Sequence, residues 1–105
     1  MAEVLLIARF VARTGTEVQL RALLQGMLAP THAEPGCRLY ELYESGEQGR
    51  FYFYESWESQ AALEQHAASP HYKHLELIVR DLLEVPFEVN ILKEVLSLED
   101  SRPRP

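Results

Sequence analysis

The sequence predicts an α+β domain in which helices cover one face of an antiparallel sheet. Three observations carry this. Apolar residues recur at helical spacing through Leu20–Leu28 and again through Tyr72–Leu83. Runs of β-branched and aromatic residues precede, separate and follow those stretches. Gly, Pro and Ser clusters mark the joints between them.

The first element is a strand from Glu3 to Val11. Its Val4-Leu5-Leu6-Ile7-Ala8 run is apolar without alternation, which predicts burial of both faces. Thr14-Gly15-Thr16 forms a turn with a capping residue, and Glu17 sits where the helix dipole favours an anion. Leu20, Leu23, Leu24, Met27 and Leu28 then share one helix face, and Pro30 helps to end that helix. Glu34-Pro35-Gly36 is a tight turn into a strand from Cys37 to Glu44. Ser45 to Gly49, with two glycines, makes a hairpin loop to the aromatic strand Arg50 to Trp57.

Ser59 caps a short helix running to about Ala68. Ser69-Pro70 opens another, with serine as cap and proline at the first helical position. Tyr72, Leu75, Ile78, Val79, Leu82 and Leu83 are its expected buried stripe, and Val85-Pro86 ends it. Phe87 to Leu96 is the last strand. Strand, helix, strand, strand, helix pair, strand is the split βαβ order of ferredoxin-like domains. Residues 1–96 are expected to form this domain, and 97–105 a mobile, functionally silent tail carrying two prolines.

With 105 residues there is room for one such domain. The helices cover one sheet face and the chain has nothing left for the other. An uncovered apolar face is unusual in a monomer, so a homodimer is expected. The formal net charge of -6 and scattered basic residues argue against nucleic acid or an anionic membrane as partner. One cysteine, Cys37, allows no disulfide within the chain and fits a reducing compartment. The N-terminus lacks the basic start of a signal peptide, and no segment reaches the roughly 20 apolar residues of a membrane span. These features predict a cytoplasmic protein.

Candidate chemistry lies between Glu55 and Tyr72. Phe53, Glu55 and Trp57 share a strand face by the period of two, which places a carboxylate among aromatics. Desolvation would raise its pKa, though an ion pair of structural purpose is the alternative. His66 follows Leu63 by three residues, so both can face an aromatic pocket. Its imidazole suits acid–base work, and a hydrogen bond to a backbone carbonyl is the alternative. His66, His71 and His74 do not read as a metal site: His66 lies on a different helix, and no well-spaced carboxylate or thiolate completes the set. His71 and His74 are expected on the solvent side. Cys37 reads as a small buried residue, and no phosphate loop, dinucleotide fingerprint or nucleophile elbow is present.

Thr14-Gly15-Thr16, Glu34-Pro35-Gly36-Cys37, Tyr40-Glu41, Arg50-Phe51, Tyr54-Glu55-Ser56-Trp57, Ala62-Leu63, His66 and Ser69-Pro70-His71-Tyr72 occur in one order and spacing. Together they resemble the antibiotic-biosynthesis-monooxygenase domain, particularly its small quinol-monooxygenase-like members. The resemblance spans Val4 to about Val95. It implies a dimeric α/β barrel and an oxygenase without metal or flavin. Such an oxygenase acts on a quinol-like or polycyclic phenolic substrate with molecular oxygen.

By that resemblance His66, Glu55 and Trp57 are the catalytic candidates, and Phe53, Phe51, Leu63, Tyr72 and Glu76 the substrate pocket. Trp57 matches a pocket tryptophan of the anthrone oxygenases. Phe53 and Glu76 replace their asparagine and arginine, which argues against an anthrone. Ala8 and Glu76 stand where the haem-degrading branch has asparagine and histidine, which argues against haem. Two other readings remain open. One is isomerisation of a small phosphorylated sugar-like signal, with Arg9, Arg50, Lys73 or His74 meeting the phosphate. The other is a ligand-binding or stress-linked module without chemistry, because a fold does not fix a function.

Overall fold

The structure is a computed structural model and describes residues 3–95. Four strands, β1 (Val4–Val11), β2 (Cys37–Glu44), β3 (Arg50–Trp57) and β4 (Glu88–Leu92), form one antiparallel sheet in the order β2-β3-β1-β4. The helices are α1 (Glu17–Gln25), α2 (Leu28–His32), α3 (Gln60–Ala67) and α4 (Pro70–Val79), the last continued by a 3-10 turn at Arg80–Leu82. This is the expected α+β, ferredoxin-like arrangement. The expected tail at 97–105 lies outside the described residues.

The period of two sorts the side chains. Leu6, Ala8 and Phe10 of β1 pair with Glu55, Phe53 and Phe51 of β3, and all six are buried on the helix side. Trp57, Phe10, Phe51 and Phe53 are the largest fully buried side chains. Each contributes roughly 1.5–3 kcal/mol by leaving water. Leu20, Leu24, Met27, Leu75 and Val79 close the core from the helices.

The other sheet face carries Leu5, Ile7, Tyr52 and Tyr54, all half-buried. Burial of both faces of β1 therefore does not occur within one chain. Among the described residues neither β4 face is fully covered: Val89 and Ile91 on the helix side and Leu92 on the other are exposed. β4 ends at Leu92, four residues short of the expected strand.

Local chemistry corrects three further expectations. Thr16 does not cap α1 with its side chain; its hydroxyl lies 2.8 and 2.7 Å from the carbonyl oxygens of Arg13 and Leu82 and shares its one proton between them, tying the turn to the end of the α4 segment. Pro30 does not end a helix but sits in the first turn of α2, where the missing N–H is not needed. Ile78 is exposed, because α4 shows the sheet only the narrower Leu75–Val79 stripe. The serine caps hold: Ser59 accepts from the Ala62 amide at 3.1 Å and Ser69 from the Tyr72 amide at 3.2 Å. Among the described residues no helix is long and apolar enough to cross a membrane.

Candidate active site

Two buried titratable side chains meet an apolar cavity between β3 and the α3–α4 pair. Glu55 and His66 both line it, with Phe53, Leu63, Tyr72 and Tyr40. Its volume is about 50 Å³. A water occupies about 30 Å³ of liquid and drug-sized ligands need several hundred. The cavity thus accommodates a molecule of the size of water or oxygen, and an aromatic substrate requires it to widen. Phe87 and Val89 border it on the β4 side. Phe87 also borders an open groove of about 520 Å³ beneath the α4 end, so one ring stands between the two spaces.

Glu55 is buried and accepts a 2.9 Å hydrogen bond from the Trp57 indole N–H. Burial pushes its carboxyl up to about 7, against the pull of that bond, and the Glu34 charge adds to the rise. The sequence placed Glu55 on this face, and strand geometry puts its bond partner two residues on. Trp57 lies outside the cavity lining but packs its ring 4.5 Å from that of His66.

His66 is buried at the end of α3, ringed by Trp57, Tyr40 and Tyr72. Burial holds its imidazole below the ordinary histidine range, while the hydrogen bond and charge of Glu34 work the other way. Its Nδ1 lies 2.7 Å from Glu34 Oε2, and Nε2 has no hydrogen-bond partner among the described residues. The phenols of Tyr40 and Tyr72 are pushed up by burial first and stay protonated near neutrality. The Cys37 thiol is likewise raised by burial, then by Glu34 and Glu55, and stays a thiol.

The expected solvent position of His71 is overturned. Its Nε2 lies 2.6 Å from the same Glu34 oxygen, and α3 and α4 meet so closely at Ser69 that the two imidazoles converge. Glu34 is the carboxylate the sequence reading found missing. The three donor atoms lie within 4.8 Å of one another. However, their 2.6 and 2.7 Å separations are those of hydrogen bonds. Ligand atoms at 2.0–2.1 Å from a tetrahedral ion stand about 3.3 Å apart.

Glu34 went unseen because its turn is 32 residues from His66 and shares no periodicity with it. Gly36 brings them together. The Glu58 amide donates to the Gly36 carbonyl at 2.8 Å, and a Cβ on Gly36 would fall 2.3 Å from that of Ala62 on α3. The glycine lets the turn lie against the helix that carries His66.

The other sequence candidates lie apart. Phe51 is buried under α1, with the Arg21 guanidinium 5.7 Å over its ring. Glu76 is exposed, 3.8 Å from Lys73, and borders the groove instead of the cavity. Arg9 and Arg50 pair with Glu88 and Glu47, and His74 is exposed. Among the described residues no arginine or lysine lines the cavity.

Fold and site together define a small ferredoxin-like domain with a carboxyl group and an imidazole facing a small apolar cavity. The family model described as Antibiotic biosynthesis monooxygenase matches residues 3–76, and the chain belongs to that family. Rv0793 of Mycobacterium tuberculosis, a provisionally named monooxygenase, is 45% identical over 89 residues, covering 85% of this chain and 88% of that protein. Its solved structure superposes with a TM-score of 0.86 at 41% identity, covering 92% of this chain and 99% of that one. PA3566 of Pseudomonas aeruginosa superposes with a TM-score of 0.84 at 29% identity, covering 90% and 96%.

Proposed function

We propose that this chain is a cofactor-independent monooxygenase for a quinol-like or phenolic substrate. The observation that carries the reading is the pairing of buried Glu55 and buried His66 on one apolar cavity. Such pairs of environment-shifted groups mark sites of proton transfer. Family membership supports the reaction class, and the apolar lining with few polar groups fits an aromatic ligand.

In this reading His66, held neutral by burial, takes a phenolic proton from the substrate. The electron pair of the broken O–H bond stays on the substrate, which becomes rich enough in electrons to react with oxygen. A quinol and O₂ give a hydroxyquinone and water: one oxygen atom enters the ring, the other leaves as water, and all four electrons come from the substrate. Glu55 serves as second proton acceptor or donor, since its pKa near neutrality lets it act both ways. Trp57 holds Glu55 by its indole N–H, and Phe53, Leu63 and Tyr72 wall the ring. Apolar walls keep water from the reactive anion.

The working form is a homodimer closed over the Leu5–Ile7–Tyr54 face, and its compartment is the cytoplasm. Oxygen uptake with a menadiol-type hydroquinone, corrected for spontaneous oxidation, tests the activity. The wild type is expected to accelerate uptake and His66→Ala to lose about 10²-fold or more of that acceleration. No protein-dependent uptake across a panel of phenols removes the reading.

A further inference from the structure

Glu34 Oε2 accepts two hydrogen bonds, from His66 at 2.7 Å and from His71 at 2.6 Å. Side-chain exposure rises along the set, from 3% at His66 to 14% at Glu34 and 21% at His71. The carboxylate thus sits between a buried ring that lines the cavity and a ring at the rim. A neutral imidazole carries one N–H and one lone pair. When its Nδ1 donates to a carboxylate, the lone pair belongs to Nε2. The other rings around His66 are those of Trp57, Tyr40, Tyr72 and His71, and the second carboxyl group on the cavity, Glu55, is bonded to the Trp57 indole and not to His66.

We propose that Glu34 is a positioning residue that fixes His66 in the Nδ1–H tautomer, makes Nε2 the basic atom of the cavity, and steadies the imidazolium formed when Nε2 takes a proton. His71 holds the same carboxylate oxygen from the start of α4 and keeps it aimed. The inference rests on the reading of His66 as the acid–base group. In the step itself the substrate O–H bond breaks, the Nε2–H bond forms, and the electron pair remains on the substrate oxygen. The new positive charge on His66 faces the Glu34 carboxylate. A carboxylate behind a histidine base acts in this manner in the hydrolase triads, where it sets tautomer and orientation without taking the proton.

The test reads the tautomer without any turnover. Long-range proton–nitrogen spectra of the ¹⁵N-labelled full chain above pH 7 are expected to show His66 protonated at Nδ1 and bare at Nε2. In Glu34→Ala the acceptor is gone, and a substantial Nε2–H population is expected. In Glu34→Gln one amide oxygen can receive both hydrogen bonds. The tautomer is therefore expected to persist, while kcat for quinol oxidation falls about tenfold or more with little change in KM. The isosteric variant guards against a folding defect in the alanine one. An Nε2–H tautomer in the wild type, or an unchanged Nδ1–H tautomer in Glu34→Ala, overturns the proposal. If the tautomer shifts as expected and no phenol is oxidised by any variant, Glu34 keeps its positioning role and the monooxygenase reading falls instead.

Discussion

At the residue scale the strongest electrostatic statement concerns Glu55. Its folded pKa is raised from 4.5 to about 7, chiefly by burial. Between those values the native state holds a proton that the unfolded chain has released. Stability from this group is therefore full below pH 4.5 and is lost as pH rises through 7. The loss amounts to at most about 3–4 kcal/mol, from roughly 1.4 kcal/mol for each pKa unit. Glu55→Gln cannot ionise and escapes it. Urea midpoints taken from pH 4.5 to 8 are expected to show the variant gaining on the wild type as pH rises. A difference that stays constant with pH would mean that Glu55 is not forced to remain protonated. Glu55 and Trp57 could be placed on one face from the strand period alone. The hydrogen bond between them could be anticipated in kind, since a buried carboxylate needs a donor.

At the element scale the site depends on how the turn before β2 sits on α3. Adding one methyl at Gly36 brings it against the Ala62 Cβ, part of a helix that cannot give way by a rotamer change. Gly36→Ala is expected to destabilise the fold by about 1–3 kcal/mol, the usual cost of overpacking. Because the same turn carries Glu34, the variant should also lengthen the Glu34–His66 hydrogen bond. Thermal unfolding and the His66 ring signals check both effects, and a variant of unchanged Tm would show that the turn has slack. The sequence marked Glu34-Pro35-Gly36 as a turn but valued it only for chain reversal. Its second role, close approach to a helix more than twenty residues later in the chain, has no local signature. In the same way, the serine caps fixed where α3 and α4 begin, yet not that His66 and His71 would share one carboxylate.

For the whole molecule, the homodimer proposed above rests on the open sheet face. Leu5, Ile7, Tyr52 and Tyr54 form a contiguous half-buried surface, with Ile7 and Tyr54 directly paired across β1 and β3. The chain mass is 12.1 kDa, and sedimentation at micromolar concentration is expected to give twice that. Ile7→Arg puts a charge at the centre of the face and should yield monomers, since a buried unpaired charge costs several kcal/mol. A wild type that sediments as a monomer would leave that face open to water and remove the dimer.

The alternation of strands and helices, the two faces of the aromatic strand and the place of Glu55 on the same face as Phe53 and Trp57 were legible in the sequence alone, whereas the separate helix α2 and the burial of His66 were not. The legible features follow from short-range periodicity and capping, which a linear chain displays directly. Tertiary structure decided the rest: the place of Glu34 and His71, the small size of the cavity, and the exposure of Glu76. Those depend on contacts between residues distant in the chain, on the rotamers that fill a space, and on which side of a helix meets the sheet. Packing sets all three, and periodicity does not encode them.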